Sequence, residues 1–247
     1  MSSLYNQLQL SLESEKSVAL STIILGEAVG QKMLVWPDGR TSGNLSTKGL
    51  TEAIVRHSQR LFEQQKSERI SLNMEGRTVE VFIDVFPPPP KLIIVGAVHA
   101  AISLVTFANV LGFHTKLIDP RSVFATPKRF SEVDELIVKW PHEALSASDF
   151  NESTYFVVLS HDEKLDIPAL KLALENNCRY VGALGSRKTQ ARRTEKLKEM
   201  GITKEQLAKI HAPIGLNLGG RRAEEIAVSI IAEIVAVRNR AQIKIGE

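Results

Sequence analysis

The chain has 247 residues, 43% of them hydrophobic and 24% charged, an ordinary globular composition with enough apolar material for one large domain or two smaller ones. A formal net charge of +3 is too small to point to nucleic acid, and the single cysteine, Cys178, excludes an intrachain disulfide and suits a reducing compartment. No apolar run is long enough to span a bilayer and the N-terminus lacks a basic-then-apolar signal, so a soluble cytoplasmic protein is expected, with neither a membrane nor a nucleic-acid partner.

Residues 4 to 13 place Leu4, Tyr5, Leu8 and Leu12 on one helical face. Val18–Leu25 and Lys32–Trp36 read as strands, Pro37-Asp38-Gly39 as a turn, and Thr41–Leu45 as the strand that returns from it. A helix is expected from Thr47 to Gln65, with Ala53, Ile54, His57 and Leu61 inward. Arg69–Met74 and Arg77–Phe86 read as strands. In the second, Val79, Val81, Ile83 and Val85 alternate with Glu80, Phe82 and Asp84, the mark of a half-buried strand. Residues 1–86 therefore form a small α/β domain with an antiparallel sheet. Pro87 to Pro90 can join neither a helix nor a central strand and serve as a stiff linker to a second domain, residues 91–247.

That domain opens on an apolar run, Leu92 to Val95, then a turn at Gly96, a helical pattern through Ala101, Leu104, Val105, Ala108 and Leu111, and a strand, Thr115 to Ile118, ending on Asp119. This is the strand–helix–strand unit of a Rossmann-like, doubly wound parallel sheet, so the fold class is α/β with a smaller N-terminal α/β domain. Asp119 stands where such folds place the group that binds a ribose hydroxyl. The turn reads Gly96-Ala97-Val98-His99-Ala100-Ala101, with Val98 where a glycine normally admits a pyrophosphate, and its β-branched side chain should obstruct a dinucleotide. Gly96 as a purely structural turn is the competing reading.

Leu136–Lys139 and Tyr155–Ser160 read as further strands. His161 and Asp162 follow the second at once, where open α/β sheets gather ligands; alternatively Asp162 caps a turn and His161 bonds locally. Asp166 is the expected N-cap of the next helix, with Pro168 in its first turn. A strand, Arg179 to Leu184, contains Gly182 and leads to Gly185 and Ser186, which open a helix bearing Arg187 and Lys188 in its first turn, an anion site by dipole and charge. Farther along, Arg192, Arg193, Lys196 and Lys198 read as a solvated basic face, with attraction of a phosphate-bearing ligand or an acidic partner protein as the sharper alternative. His211 to Gly220 is a loop rich in glycine, Gly215 included, that suggests close backbone approach to a ligand or to another strand. It precedes a long helix, about Arg222 to Asn239, with Ala227, Ile230, Ile231, Ile234 and Val235 as its buried stripe.

His161-Asp162, the run Val181 to Arg193 (VGALGSRKTQARR) and the run His211 to Ile234 (HAPIGLNLGGRRAEEIAVSIIAEI) closely resemble the XdhC/CoxI family, accessory proteins of xanthine dehydrogenase and related molybdenum hydroxylases. Gly96 to Ala101 and Ile118-Asp119-Pro120-Arg121 fit the same pattern, as do Gly30 to Leu34 and Asp38-Gly39 in outline. The resemblance covers nearly all of residues 91 to 247. It implies a chaperone, not an enzyme in its own right, that binds molybdenum cofactor while a cysteine desulfurase installs its sulfido ligand, then passes it to the apo-enzyme. The candidate cofactor-binding residues, taken from the strand ends, glycine turns and helix start above, are Gly96, Ala97, Val98, His99, Asp119, Arg121, His161, Asp162, Gly182, Gly185, Ser186, Arg187, Lys188 and Gly215, with no metal ligand among them. One departure stands out: Leu50, in Lys48-Gly49-Leu50-Thr51-Glu52, occupies the place of the family's cysteine, and a thiolate is the obvious soft ligand for molybdenum. Cys178 reads as a small buried residue rather than a substitute. An NAD(P)-dependent oxidoreductase on the same fold, and a diverged scaffold that binds only a partner protein, are the alternatives. Apolar helix faces at both ends of the chain suggest a homodimer.

Overall fold

The computed structural model describes residues 3–45, 49–74 and 76–241. The chain divides into two compact units that meet inside the proline run, Met1–Pro88 and Pro89–Glu247.

The first unit contains α1 (Leu4–Glu13), β1 (Val18–Leu25), β2 (Lys32–Val35), β3 (Thr41–Ser42), α2 (Leu50–Gln64), β4 (Glu68–Met74) and β5 (Arg77–Phe86). Its strands form an antiparallel sheet in the order β3-β2-β1-β5-β4. The expected alternation of β5 holds: Val79, Val81, Ile83 and Val85 are buried on the side that α2 covers with Leu50, Ile54, Leu61 and Phe62. Three details differ from expectation. β2 ends before Trp36, whose amide instead bonds Arg40 O at 3.0 Å across the tight turn, and β3 stops at Ser42 rather than Leu45. Ser58, four residues after Ile54, takes the inner place on α2 expected for His57. The expected start of α2 at Thr47 and Lys48 lies outside the described residues. Leu50, where the resemblance expects a cysteine, is fully buried in this core.

The second unit contains β6 (Lys91–Val95), α3 (His99–Val110), β7 (His114–Ile118), β8 (Glu135–Ile137), α4 (Pro141–Ala144), β9 (Thr154–Val158), α5 (Glu163–Glu175), β10 (Tyr180–Ala183), α6 (Arg187–Glu199), α7 (Lys204–Leu207), β11 (Ile210–His211) and α8 (Ala223–Asn239). Among the described residues its strands make one parallel sheet, β11-β10-β9-β6-β7-β8. Both faces are covered, which is why these strands read as continuous apolar runs. Leu92, Ile94, Tyr155 and Val157 face α3 and α8, and Ile93, Val95, Phe156 and Val158 face α5 and α6. Strand order reverses between β6 and β9, the switch point beside which such sheets bind ligands at their carboxyl ends. Among the described residues no helix is long and apolar enough to cross a membrane.

Candidate functional site

The carboxyl-end rim of the parallel sheet falls into two parts. At the switch point the tips of β6 and β9 touch. Gly96 has φ +110°, and a Cβ there would lie 2.8 Å from Ser160 N, so a glycine is required for this close approach. The Gly96 amide bonds Ile118 O at 2.9 Å and the Ala97 amide bonds Asp119 Oδ2 at 2.8 Å. Ala97 O accepts Arg129 Nη1 at 3.2 Å. Val98 starts α3 and packs partly against the apolar cluster below it, so its side chain is not directed only into the ligand space that sequence reasoning assigned to it, and His99 stands exposed as the first helical residue.

Asp119 is fully buried, and this changes its role. Its oxygens accept the Ala97 amide, the Arg121 amide at 2.9 Å, and Arg121 Nε and Nη2 at 2.9 and 2.7 Å. Burial pushes its carboxyl up, but the Arg121 guanidinium and the two amides outweigh burial and hold it below the ordinary carboxylate range. The ribose contact expected of Asp119 therefore gives way to a structural one: it fixes the turn and aims Arg121. The Arg121 guanidinium lies 4.8 Å over the Phe124 ring and remains partly exposed.

At the tip of β9, Asp162, not Asp166, is the N-cap of α5; its Oδ1 accepts the Lys164 amide at 3.0 Å, and His161 is exposed beside it. Asp166 is buried one turn into the helix and forms an ion pair with Arg193. Arg193, read as part of a solvated face, is 1% exposed. It bonds Leu184 O at 2.7 Å as well as Asp166, and Ser160 donates its hydroxyl to the same carboxylate. Burial drives the Asp166 carboxyl up, against the pull of Ser160 and Arg193. Leu197, four residues on and buried, was the available sign that Arg193 faces inward. Gly182 also lies inside the protein, because the space a Cβ would fill is taken by Ile214, 2.5 Å away. It serves packing rather than contact with a ligand.

The other part of the rim is open. Ser186 caps α6, its hydroxyl accepting the Thr189 amide at 3.2 Å, and Arg187 and Lys188 stand exposed at the helix start. Gly185, with φ +148°, lets this turn pass close to Arg193 and Thr189. Beside it a cleft of about 580 Å³ is lined by Leu184, Arg187, the loop from Pro213 to Arg221, and the start of α8. Arg187 and Arg221 give it positive charge. Its one acid, Glu225, is engaged: Oε2 accepts the Arg221 and Arg222 amides, each at 2.9 Å. Sequence reasoning missed a group beneath this loop. Glu233 Oε2 accepts the Gly215 amide at 2.9 Å and the Tyr180 hydroxyl, and His211 Nδ1 lies 3.3 Å from Oε1. Burial pushes the Glu233 carboxyl up, but these three partners outweigh it and hold it below its ordinary range, while burial and the facing carboxylate push the Tyr180 hydroxyl up. A lone acid in the apolar interior of α8 was the signal that could have found it.

A Rossmann domain in the 3-2-1-4-5-6 strand order, with a basic glycine-lined cleft on its rim and a small antiparallel α/β unit ahead of it, defines the class of protein. The family model for the XdhC Rossmann domain matches residues 92–234, and that for the XdhC and CoxI family matches residues 11–73. The chain belongs to the XdhC and CoxI family. Over 167 residues it is 32% identical to a Bacillus subtilis protein described as a probable xanthine dehydrogenase subunit, covering 68% of this chain and 48% of that protein. Over 95 residues it is 36% identical to the molybdenum cofactor insertion chaperone PaoD of Escherichia coli, covering 38% of this chain and 30% of the chaperone. An uncharacterized E. coli protein, YqeB, is 27% identical over 222 residues, 85% of this chain and 41% of the relative. The chain thus spans less than half the length of these curated relatives. A crystal structure of a Bacillus halodurans protein described as a xanthine dehydrogenase shares the fold, with a TM-score of 0.55 at 20% identity over 96% of each chain.

Proposed function

We propose that this protein binds molybdenum cofactor and assists its maturation or its insertion into a xanthine dehydrogenase-type molybdenum hydroxylase. The observation that carries the reading is the cleft between the start of α6 and the glycine loop, in a member of this family. The cofactor's phosphate suits the donors there: the first turn of α6, Arg187, Arg221, and backbone along the glycine loop from Gly215 to Gly220. The pterin would extend along the rim toward His99, Arg121, His161 and Asp162.

The chain's sulfur does not suit the metal end. Leu50 fills the expected cysteine's place within a core. Cys178 precedes β10 and so lies at the opposite edge of the sheet from the rim, and burial pushes its thiol up to about 12. Bound cofactor supplies redox chemistry to a client enzyme; this chain's residues hold the phosphate end and shield the rest. Sulfuration by a cysteine desulfurase then rests on that enzyme's own cysteine. The apo-hydroxylase is the receiving partner, the cytoplasm the setting, and a homodimer the working form. The NAD(P) alternative is disfavoured by the turn at Gly96, whose first two amides are already bonded to protein.

Cofactor released from a denatured molybdoenzyme and followed by pterin fluorescence tests the reading. Arg187→Ala removes a charged, two-pronged hydrogen bond worth about 1.5–3 kcal/mol, roughly a ten- to hundredfold loss of affinity. Lys198→Ala, at the far end of α6, should change it little. Equal small effects from both would reduce the site to diffuse charge, and no binding by the unmodified protein would overturn it.

A further inference from the structure

We propose that Glu233 is a positioning residue for the cleft: from beneath, its carboxylate sets the backbone of the glycine loop that receives the ligand. This inference rests on the cofactor reading above. Glu233 lies three turns along α8, 15% exposed, and draws donors from three separate elements: Tyr180 on β10, His211 on β11 and the Gly215 amide. Gly215 has φ +89°, and a Cβ there would lie 2.5 Å from Ser229 Oγ, so the loop is pressed against α8 at this residue. The next amide, Leu216, bonds Ser229 O at 3.1 Å.

The far end of the loop is held the same way, by Glu225 through the Arg221 and Arg222 amides. Two carboxylates of one helix therefore bracket Asn217 to Gly220. This arrangement answers an electrostatic difficulty. An acid facing a phosphate would repel it, but Glu233 spends both oxygens on protein donors and Glu225 spends Oε2 on two backbone amides. The charge of Glu233 lies beneath the loop, outside the cleft lining, while the exposed Glu225 on the cleft wall is outnumbered by Arg187 and Arg221. The register of the loop on α8, and so the spacing between its backbone and Arg187, depends on the reach of Glu233.

Reach and charge can be separated by two substitutions in the full chain. Glu233→Gln keeps the length and an acceptor oxygen for Gly215 and Tyr180, and its amide can donate to the His211 ring. Glu233→Asp keeps the charge but is one methylene short of the Gly215 amide. With the same released cofactor as probe, Gln should bind within about threefold of the unmodified protein, and Asp roughly tenfold more weakly, the loss set by a displaced loop. Ile234→Val, buried on the same helix, should lower thermal stability and leave affinity unchanged, which separates positioning from mere stability. Asp binding as well as the unmodified chain, Gln failing as badly as Asp, or Ile234→Val losing affinity in parallel with Tm would each overturn the inference. If the unmodified chain binds no cofactor, the failure belongs to the functional reading itself, and this inference falls with it.

Discussion

Two parts of one rim, built on the same sheet, have come to opposite ends. At the switch point, where dinucleotide-binding relatives of the fold open a crevice, Gly96, Ala97, Asp119 and Ser160 are all buried and their polar groups bond to protein: Gly96 to Ile118, Ala97 to Asp119 and Arg129, Asp119 also to Arg121, and Ser160 to Asp166. Around β10, α6 and α8 the same edge stays open, with Arg187 and Lys188 exposed and glycine backbone along a cleft. The contrast teaches that the fold fixes which edge can carry a ligand, while side-chain satisfaction decides where along that edge it does. A buried Arg193 joins the two parts, bonding Leu184 on one side and Asp166 and, through it, Ser160 on the other.

The hardest blow to this division is removal of that joint. Arg193→Ala leaves Asp166 as a buried, unpaired carboxylate, and breaking such a pair costs about 3–5 kcal/mol. Chemical denaturation at neutral pH should show a loss of that size. Combined with Asp166→Leu the loss should shrink, since no charge is then stranded. A single Arg193→Ala variant with unchanged stability would mean that the guanidinium is solvated after all and that the two parts of the rim are independent.

Asp119→Ala tests the closed part alone, with a loss of about 2–3 kcal/mol expected from a charged group that serves several donors. Its pH dependence carries a definite sign. The folded carboxyl is held below its ordinary value of 3.8, so its stabilisation is present above that pH and is lost as pH falls through the lower, folded value. The unmodified protein should therefore lose more stability than the Asp119→Ala variant between about pH 5 and roughly pH 2. Parallel acid limbs for the two proteins would show that Asp119 keeps an ordinary titration and is free for a ligand.

Much of this was legible beforehand, and what was not has physical causes. Period-two and period-3.6 apolar patterns, with cap residues for α5 and α6, gave the longer strands and helices of both units, because the cores are continuous and each such element presents one or two apolar faces to them; the short α4, α7 and β11 carry too few residues for a period and were not read. Ser186 as the cap of α6 and Gly96 as a tight turn could be read locally, since caps and positive φ depend on adjacent residues. Arg193, Asp166 and Glu233 were not read as buried, although Leu197 and the apolar surroundings of Glu233 hinted at two of them. Each is a charged residue whose burial depends on a partner far away in sequence, and composition rules place such residues outside by default. Asp119 was found by its position, yet its four donors, which redefine its task, come from a turn 22 residues earlier and from Arg121, whose orientation no spacing rule gives.

A smaller effect sharpens the closed part further. Val98→Gly is attractive only while Val98 alone bars a pyrophosphate. Since the Ala97 amide belongs to Asp119 and Val98 packs against the apolar cluster, the glycine variant should lose about 1 kcal/mol of stability and gain no NAD or NADP affinity by calorimetry. Dinucleotide binding restored by this one change would reopen the switch point as the site.

The smallest effect is expected farthest from the rim. Cys178 precedes β10, at the amino edge of the sheet, and packs partly against the apolar cluster under α5 and α6. Burial pushes its thiol up to about 12, with Lys209 only partly opposing. At about pH 8 almost none of it is thiolate, and the thiolate is the form that attacks electrophiles and binds soft metals. Alkylation of the native protein by iodoacetamide should accordingly be slow at that pH and become fast on unfolding. Cys178→Ser exchanges a small hydrophobe for a hydroxyl that needs a partner, at a cost of about 1 kcal/mol, and should leave pterin binding unchanged. A Cys178→Ser protein that folds with normal stability but no longer holds cofactor would place a working sulfur at the amino edge. That result would also break the division of the rim, because the ligand would then have to be held on both edges of the sheet.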